Sequence, residues 1–343
     1  MARRRVSGLA LGLILIGTAV LAVGVGTVPI SPSATVRLLA WKAGIIGPPA
    51  DVPPSTAVIL FELRIPRVVL AAVVGCALAV SGTVFQALFR NPMADPAIIG
   101  ISSGAALGAI VVILVAGSAL AAGVAVPAAA FVGALAVGFV VYRLARIGPA
   151  VQVATLLLAG IAVAAVVSAV ISLIMAFSGE QVRSIYFWLL GGLAARGWDS
   201  VAVAGPLVGV GLAGALLTVR DLNLLALGEE RAAQLGMEVE RFKRLALGTG
   251  ALLTAAAVSV AGVIGFVGLM TPHILRLVLG AEHRRLVPAT LLGGAIFMIL
   301  ADLAARTLVA PQEIPVGAVT ALLGGPFFLY LLRRERRAAG ARA

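Results

Sequence analysis

The residues of this sequence that could perform chemistry are few, and their spacing fits no common catalytic or metal site. His273 and His283 are the only histidines and stand 10 positions apart, while the single cysteine, Cys76, lies in a distant apolar run. Zinc ligands usually occur as close pairs of Cys and His, which this spacing does not provide. One cysteine also excludes an internal disulfide. We therefore predict no catalytic residue and no metal site.

The two lysines exclude a phosphate-binding loop of the Walker A type. Such a loop ends in Lys followed by Ser or Thr, because the ammonium contacts the phosphates and the hydroxyl contacts magnesium. Lys42 precedes Ala43, and Lys243 precedes Arg244. The chain is therefore expected to bind no nucleotide by this route.

One carboxylate, Asp302, lies in an apolar run where it could relay protons. A proton-coupled carrier places several carboxylates or histidines in series along its spans, and the sequence shows no such series. Arg306 follows 4 residues later, which is one helical turn away. The two residues therefore favour an ion pair near a helix end over a proton relay.

The composition around these residues is that of a membrane protein. Of the 343 residues 61% are hydrophobic and 12% are charged, and the mean hydropathy is +1.13. A water-soluble protein of this length could not bury so much apolar surface. The net charge of +12 does not indicate nucleic-acid binding, because the basic residues lie in short clusters between apolar runs.

Ten apolar runs approach the roughly 20 residues that a helix needs to cross a bilayer. They lie at about 9–29, 66–88, 97–116, 119–142, 152–177, 200–219, 245–264, 266–280, 287–306 and 315–332. The first run follows a cluster of basic residues, but it is longer than the core of a signal peptide and is expected to be retained. The sequence thus predicts an all-α, polytopic membrane protein with a single domain over residues 1–343.

The basic residues also predict an orientation. An even number of spans places both termini on one side, and with that side cytoplasmic 19 of the 26 Lys and Arg face the cytoplasm, as the positive-inside rule requires. Spans two to five and seven to ten form a candidate inverted repeat. The matching positions are Val80, Gly82 and Pro92 in the first copy and Val260, Gly262 and Pro272 in the second.

Residues 220–244 form the longest hydrophilic stretch between the late spans, and they have a helical pattern. Gly228 and Gly236 divide the stretch into short pieces. A helix around 229–239 would place on one face the apolar residues Ala232, Leu235 and Val239. Two interpretations remain open: a solvated loop with a helical turn, or a cytoplasmic helix that docks on a partner.

Four segments of the sequence resemble one family of transporters. The first is LRIPRVVLAAVVGCALAVSGTVFQALFRNPMADPAIIGISSGAALGA, and it is followed by ALGEERAAQLG, by GVIGFVGLMTPHILRLVLGAEHRRLVPA and by ADLAARTLVAPQEIPVGAVTALLGGPFF. Together they cover roughly residues 60–332 in the same order as in the family. The chain is similar to the FecCD-type permeases, the membrane subunits of importers of ferric siderophores, haem and cobalamin.

The resemblance implies a permease subunit that pairs with itself or with a close relative. The pair would stand on two cytoplasmic ATP-binding subunits, which bind the ATP and Mg, and would receive its cargo from an extracytoplasmic binding protein. The chain itself would then be no enzyme. Residues 220–244 would be the coupling segment, and its contacts with the ATPase would involve Gly228, Glu229, Ala232, Leu235, Gly236 and Val239.

The resemblance also implies roles for residues at the two membrane faces. Arg64, Arg67 and Arg306 match arginines that meet carboxylates of the binding protein; the alternative is that each extends to the outer headgroups. Asn91 and Met93 match an inner gate, and the alternative is a turn defined by its prolines. Substrate would pass the fifth and tenth helices and a short outer helix expected over 180–193, whose polar and aromatic residues would also suit an interfacial belt.

We therefore expect alternating access powered by partner ATPases in a bacterial cytoplasmic membrane. Iron chelates, either ferric siderophores or haem, are the expected cargo, with cobalamin as the alternative within the family. An ion-coupled carrier and a membrane enzyme or scaffold are the alternatives outside it. The missing series of carboxylates argues against the former, and the missing catalytic set argues against the latter.

Overall fold

The computed structural model describes residues 2–26, 28, 30–121, 123–148 and 150–340, and the side chains of residues 8–26, 28, 30–115, 123–146, 148 and 150–333. Some of the basic residues that support the predicted orientation have side chains outside these ranges. They are Arg3, Arg4, Arg5, Arg334, Arg336, Arg337 and Arg342.

The described chain folds into α-helices joined by short connections and one small hairpin. In the first half these are α1 (Ala2–Gly24), α2 (Pro32–Lys42), α3 (Pro54–Val58), α4 (Ile65–Leu88), α5 (Ile101–Ala121), α6 (Ala125–Ala145), α7 (Val153–Phe177) and α8 (Val182–Leu189). In the second half they are α9 (Trp198–Leu217), α10 (Val219–Leu225), α11 (Glu229–Gln234), α12 (Val239–Ala261), α13 (Val267–Leu279), α14 (His283–Thr307) and α15 (Val316–Gly340). The strands β1 (Arg146–Ile147) and β2 (Ala150–Val151) pair antiparallel between α6 and α7.

Among the described residues, 7 helical stretches are long and apolar enough to cross a bilayer: Pro54–Leu88, Ala125–Ala145, Val153–Phe177, Trp198–Leu217, Val239–Ala261, His283–Thr307 and Val316–Arg333. Shorter apolar stretches lie at the other expected spans, at Gly8–Gly24, Ile101–Val115 and Val267–Leu279. The prediction of an all-α, multi-span protein is confirmed. The count of ten spans and the inverted repeat stay predictions.

The second span begins earlier than the sequence suggests. We expected its start near residue 66, but the helical stretch begins at Pro54. A π-helical turn over Ile59–Arg64 connects α3 to α4, so the charged residues of this turn continue the helix instead of ending it. Hydropathy alone does not reveal a polar extension of this kind.

Helix α4 lies at the centre of the bundle, where it packs against α9, α12, α13 and α14. Two glycines allow the close approach of its neighbours. A Cβ atom at Gly75 would meet the carbonyl oxygen of Gly294, and a Cβ atom at Gly82 would meet that of Gly268. Small residues at such crossings bring helix backbones together where lipid provides no hydrophobic driving force.

A non-helical segment over residues 262–266 separates α12 from α13. Gly262 has φ +70° and lies against the carbonyl oxygen of Trp188, so a larger residue would be strained and would also clash. Phe266 has φ +67° and immediately precedes α13. The break explains why the expected span over 266–280 is short.

Residues 220–244 form α10, α11 and the first turns of α12. Gly228 (φ +108°) and Gly236 (φ +86°) lie in the connections, so the division at these glycines is confirmed. The helix expected around 229–239 is wrong in its extent, because α11 ends at Gln234 and Val239 begins α12. The positive φ of Gly236 turns the chain between the two helices.

The charged residues distinguish the two ends of the bundle. We call the end that carries Arg64, Arg67 and Arg306 the arginine end, and the opposite end, which carries residues 220–244, the coupling-segment end. Helix α14 links the two, because its first residue, His283, contacts Asn223 of α10 and its last turn contains Arg306.

Candidate functional site

At the arginine end, Arg64 and Arg306 bind the end of α1. Both side chains are buried, with exposed fractions of 6% and 4%. Their guanidinium groups donate hydrogen bonds to carbonyl oxygens where α1 ends, a position at which carbonyl groups lack helical donors and the helix dipole favours a cation. The acceptors are the carbonyl oxygens of Ala22, Val23 and Gly24 in the last turn of α1, and that of Val28 in the segment after the helix.

Arg67 lies between two carboxylates. Its Nε donates to both carboxylate oxygens of Asp302 at 3.0 and 3.1 Å, and its Nη1 donates to those of Glu313 at 3.0 and 2.9 Å. Arg306 Nε lies 3.6 Å from Asp302 Oδ2. The predicted ion pair between Asp302 and Arg306 is therefore confirmed, although Arg67 is the closer partner of the carboxylate.

Two cavities border this network of charges. The first has a volume of about 430 Å³ and is lined by Arg64, Arg67, Arg306 and Glu313, together with Arg196. The second, of about 330 Å³, also includes Arg67, Glu313 and Arg196 in its lining. Among the described residues, Arg196 has no carboxylate within ion-pair distance. Arg64 also has no carboxylate beside it, but its guanidinium donates to carbonyl oxygens, so Arg196 is the lining arginine whose guanidinium has no hydrogen-bond partner among the described residues.

The structure brings the three expected docking arginines together, but it also gives each of them partners within the chain. A carboxylate of a binding protein would have to compete with Asp302, with Glu313 and with the carbonyl oxygens at the end of α1. The docking role stays a prediction. Reversal of all three arginines to Glu would bury carboxylates against carbonyl oxygens and disturb this end of the bundle, so Arg196 provides the cleaner test.

We expect the affinity of the cognate binding protein to fall as the salt concentration rises, because salt screens exposed charges. Arg196 is half-buried, and at low salt Arg196→Gln should weaken binding by up to about fivefold, the range of one ion pair that water still reaches. Arg37→Gln is a suitable control, since Arg37 is already paired with Asp51 at 2.5 Å. Titration of the binding protein onto the purified chain measures both effects. An affinity that is independent of salt would rule out docking by arginines.

The expected short outer helix over 180–193 is observed as α8, which is preceded by a 3-10 turn and ends at Leu189. It ends before the expected boundary because Gly191 turns the chain with φ +66°. The helix buries Ile185 and Trp188 and exposes Tyr186. The helix lies beside the 330 Å³ cavity. Its expected role in the substrate path stays a prediction.

At the coupling-segment end, Asn91 and Met93 lie in the turn between α4 and a 3-10 helix over Pro96–Ile99. Asn91 is exposed, and its Oδ1 accepts a hydrogen bond of 2.9 Å from the backbone N–H of Met93. This is the conformation of a side-chain-stabilised turn. A gate formed by these two residues stays a prediction.

The adjacent Asp95 connects this turn to the break before α13. Its carboxylate accepts a hydrogen bond of 2.8 Å from the N–H of Ala97 and another from the N–H of Phe266. Burial raises the pKa of the Asp95 carboxyl above its usual value, and these two donors partly oppose the shift. The turn after α4 and the segment before α13 therefore meet at a polar contact near the expected gate.

The coupling residues differ in their exposure. Leu235, directly after α11, is 61% exposed, whereas Ala232 is completely buried within the chain. Val239 is partly buried in the first turn of α12. The three residues therefore do not form one outward apolar face, and Leu235 is the residue available to a partner. The coupling role itself stays a prediction.

Lys243 connects three segments at this end. It is buried, and its Nζ lies 2.6 Å from Glu229 Oε2 of α11, 3.0 Å from Glu240 Oε1 of α12 and 3.2 Å from the carbonyl oxygen of Val151. Glu240 Oε2 in turn accepts a hydrogen bond of 2.8 Å from the N–H of Val151. This Lys243 cluster joins the coupling segment to the hairpin that immediately precedes α7.

Sequence reasoning missed Arg196, Glu313 and the Lys243 cluster. Arg196 and Glu313 are isolated charges beside apolar runs, and this pattern could have identified them as candidate functional residues. Lys243 is one of only two lysines in a chain rich in arginine, and a compact ammonium with three donors suits three acceptors that converge. In the part of the chain that the structure describes, no group of three or more His, Cys, Asp or Glu could hold a metal ion.

Comparisons with known proteins agree with this architecture. A family model described as the FecCD transport family matches residues 13–334. The chain is 49% identical over 288 residues to the cobalamin import system permease protein BtuC of Halobacterium salinarum, covering 84% of this chain and 77% of that protein. It is 48% identical over 281 residues to the hemin transport system permease protein HmuU of Yersinia pestis, covering 81% and 84%.

A solved structure described as an inward-facing, metal-chelate type ABC transporter has the same fold. Its TM-score is 0.81 at 32% sequence identity, and the match covers 95% of this chain and 98% of that one. The family model extends over nearly the whole chain, and each of the two relatives matches more than four fifths of it. The chain therefore belongs to the FecCD transport family, the permease subunits of binding-protein-dependent ABC importers.

Proposed function

We propose that this chain is the permease subunit of an ATP-driven importer of iron chelates, either ferric siderophores or haem. Two copies, or one copy and a homologous permease, form the translocation unit in the cytoplasmic membrane of a bacterium. The coupling-segment end faces the cytoplasm, with both termini on that side, and the arginine end faces the extracytoplasmic binding protein. Separate ATPase subunits bind ATP and Mg and drive alternating access.

The observation that carries this proposal is the exposure of Leu235 in a chain that has no Walker A loop. An apolar side chain that is 61% exposed beside a polar helix, outside the expected spans, favours contact with another protein. A permease that depends on a separate ATPase needs such a surface. Leu227, which precedes α11, is a second exposed apolar residue of the same segment.

Pairing with a second permease is supported by apolar faces that the chain leaves uncovered. Leu158 and Phe177 of α7 and Leu322 and Leu329 of α15 are strongly exposed. These are the fifth and last of the expected spans. A partner packed against them would place the substrate path between the two subunits.

The relatives support the proposed chemistry of the cargo. The similarity to a hemin permease supports an iron chelate that arrives preformed, so that no ligand from this chain needs to hold the metal. Cobalamin is the second candidate, since a relative of nearly equal identity carries that name. Both cargoes are bulky chelates that would use the same kind of path.

Reconstitution tests the proposal. The chain, its ATPase and its binding protein are placed in proteoliposomes, and uptake of haem, of a ferric siderophore and of cobalamin is measured with and without ATP. ATP-dependent uptake of an iron chelate is the expected result. Uptake of cobalamin alone would reject the iron assignment, and uptake driven by an ion gradient without ATP would reject the importer.

The chain alone is expected to hydrolyse no ATP, because neither lysine can serve a phosphate-binding loop. The measurement is phosphate release by the purified permease, followed by the same assay after addition of the ATPase subunit. Activity should be found only with both present. Hydrolysis by a preparation shown by mass spectrometry to contain this chain alone would contradict the assignment of ATP binding to partner subunits.

A further inference from the structure

A cavity between α6 and α12 lies apart from the two candidate sites described above, and the coupling segment contributes only its last residue, Arg244, to the lining. It has a volume of about 330 Å³ and is also bordered by α4, α5 and α7. Its lining includes Tyr142, three residues before the end of α6, and Arg244, five residues after the start of α12. The cavity therefore starts near the coupling-segment end of the bundle.

The lining of this cavity changes from polar to apolar with depth. Arg244 and Tyr142 lie nearest the helix ends, whereas Ala251 and Leu135 lie seven residues further into the same two helices. At 1.5 Å per helical residue this difference corresponds to about 10 Å along the bundle. Apart from Arg244 and Tyr142, the cavity is lined by apolar residues and Gly. A ligand that fits must have a polar end and an apolar end.

The cavity opens sideways from the bundle. Phe139 on α6 is 61% exposed, and Arg244 and Gly248 on α12 are exposed as well. Two glycines, Gly138 and Gly248, contribute no side chain to its lining, and a Cβ atom at Gly248 would meet nothing within 4 Å. The space between the two helices is therefore accessible from the face that they share.

The polar end of the cavity favours an anion. Among the described residues Arg244 has no carboxylate within ion-pair distance, and its one hydrogen bond runs from Nε to the carbonyl oxygen of Glu240 at 3.3 Å. Its remaining N–H donors are free to bind a ligand. The Tyr142 hydroxyl, which also has no hydrogen bond within the described chain, supplies a donor beside it. Arg143, exposed on the next position of α6, adds positive charge at the same level.

We propose that this cavity binds one anionic phospholipid of the adjacent leaflet, with its phosphate at Arg244 and Tyr142 and an acyl chain between α6 and α12. Basic residues at the membrane surface next to an apolar groove between helices are the arrangement that recognises anionic headgroups. A lipid brings the counter-charge and the apolar chain in one molecule.

The test uses the purified, detergent-solubilised permease in its native oligomeric state, with dioleoyl phosphatidylglycerol and dioleoyl phosphatidylcholine as probes. Native mass spectrometry measures the lipid bound per chain. We expect phosphatidylglycerol to bind preferentially, and Arg244→Gln to reduce this preference about fivefold, the factor expected for one basic residue near an anionic surface. Arg220→Gln, an exposed arginine at the same end that does not line the cavity, should leave the preference unchanged.

A second variant tests the apolar part of the site. Gly248→Leu fills the opening and should reduce the binding of both lipids, whereas Gly209→Leu, at an exposed glycine of α9 that also has open space, should not. Equal binding of the two lipids by the unchanged protein would overturn the proposal. So would a Gly248→Leu variant that retains its lipid but loses its oligomeric state, because that result would show that a second protein covers this face.

Discussion

Replacement of Leu235 by Asp is expected to abolish ATP-driven uptake while the permease still inserts into the membrane and binds its binding protein. The side chain is 61% exposed at the end of α11, so the charge should not disturb the fold of the isolated chain. At the contact with an ATPase subunit, the aspartate would bury less apolar surface than Leu235 does, and its carboxylate would lose water without gaining a partner. Together these two effects would reduce the binding free energy by about 2–4 kcal/mol. Uptake by proteoliposomes and co-purification of the ATPase measure the effect.

A matched control is Leu235→Met, which keeps the volume and apolar character of the side chain and should retain most of the uptake. The ATPase should detach from the Asp variant or lose its response to loaded binding protein. An ion-coupled carrier would tolerate the same surface charge. Uptake by Leu235→Asp at the rate of the unchanged protein would therefore refute the coupling role of α11.

Asp302→Asn is expected to reduce the stability of the protein strongly. The Asp302 carboxylate is 1% exposed and binds Arg67, with Arg306 as a second cation nearby. The amide removes the negative charge and leaves two buried guanidinium groups with Glu313 as their remaining counter-charge. Loss of one partner of a buried ion pair costs about 3–5 kcal/mol. The midpoint of thermal unfolding in detergent should fall accordingly.

Two further variants show whether the ion pair is the cause. Glu313→Gln should cost less than about 1 kcal/mol, because the Glu313 side chain is 34% exposed and water screens its interaction with Arg67. The double variant Arg67→Leu with Asp302→Leu replaces charges by apolar groups and should be more stable than Asp302→Asn alone. If the midpoint of thermal unfolding of Asp302→Asn equals that of the unchanged protein, the ion pair between Asp302 and Arg67 does not stabilise the fold.

The parts of the fold that follow from hydropathy were predicted well from the sequence. The spans expected from the sequence for α6, α7, α9 and α14 agree with the observed helices to within several residues. Each of them is a long apolar run between charged residues or residues that break a helix. The start of the second span was missed because polarity does not end a helix that continues through a π-helical turn. The extent of α11 was missed because three apolar residues at helical spacing do not show where a glycine with positive φ turns the chain.

The candidate sites were predicted less completely, because contacts between distant segments are not visible in one sequence. The pairing of Asp302 with Arg306 was accessible, since the two residues share a helix. The closer partner, Arg67, stands 235 positions away and is brought near only by the packing of α4 on α14. The burial of Arg64 against the end of α1 depends in the same way on a tertiary contact. Residue type indicated the charge, but not the partner that neutralises it.

The Lys243 cluster determines how the coupling-segment end can move. One ammonium is bound at once by α11, by α12 and by the hairpin ahead of α7, so a displacement of one of the three segments alone would strip a buried cation of a partner. Water reaches Glu229 and Glu240 and offsets part of that loss, but the buried ammonium still favours a joint movement of the three segments. We therefore expect this end of the protein to act as one mechanical unit, in which a displacement of α11 by a partner also moves the first turn of α7.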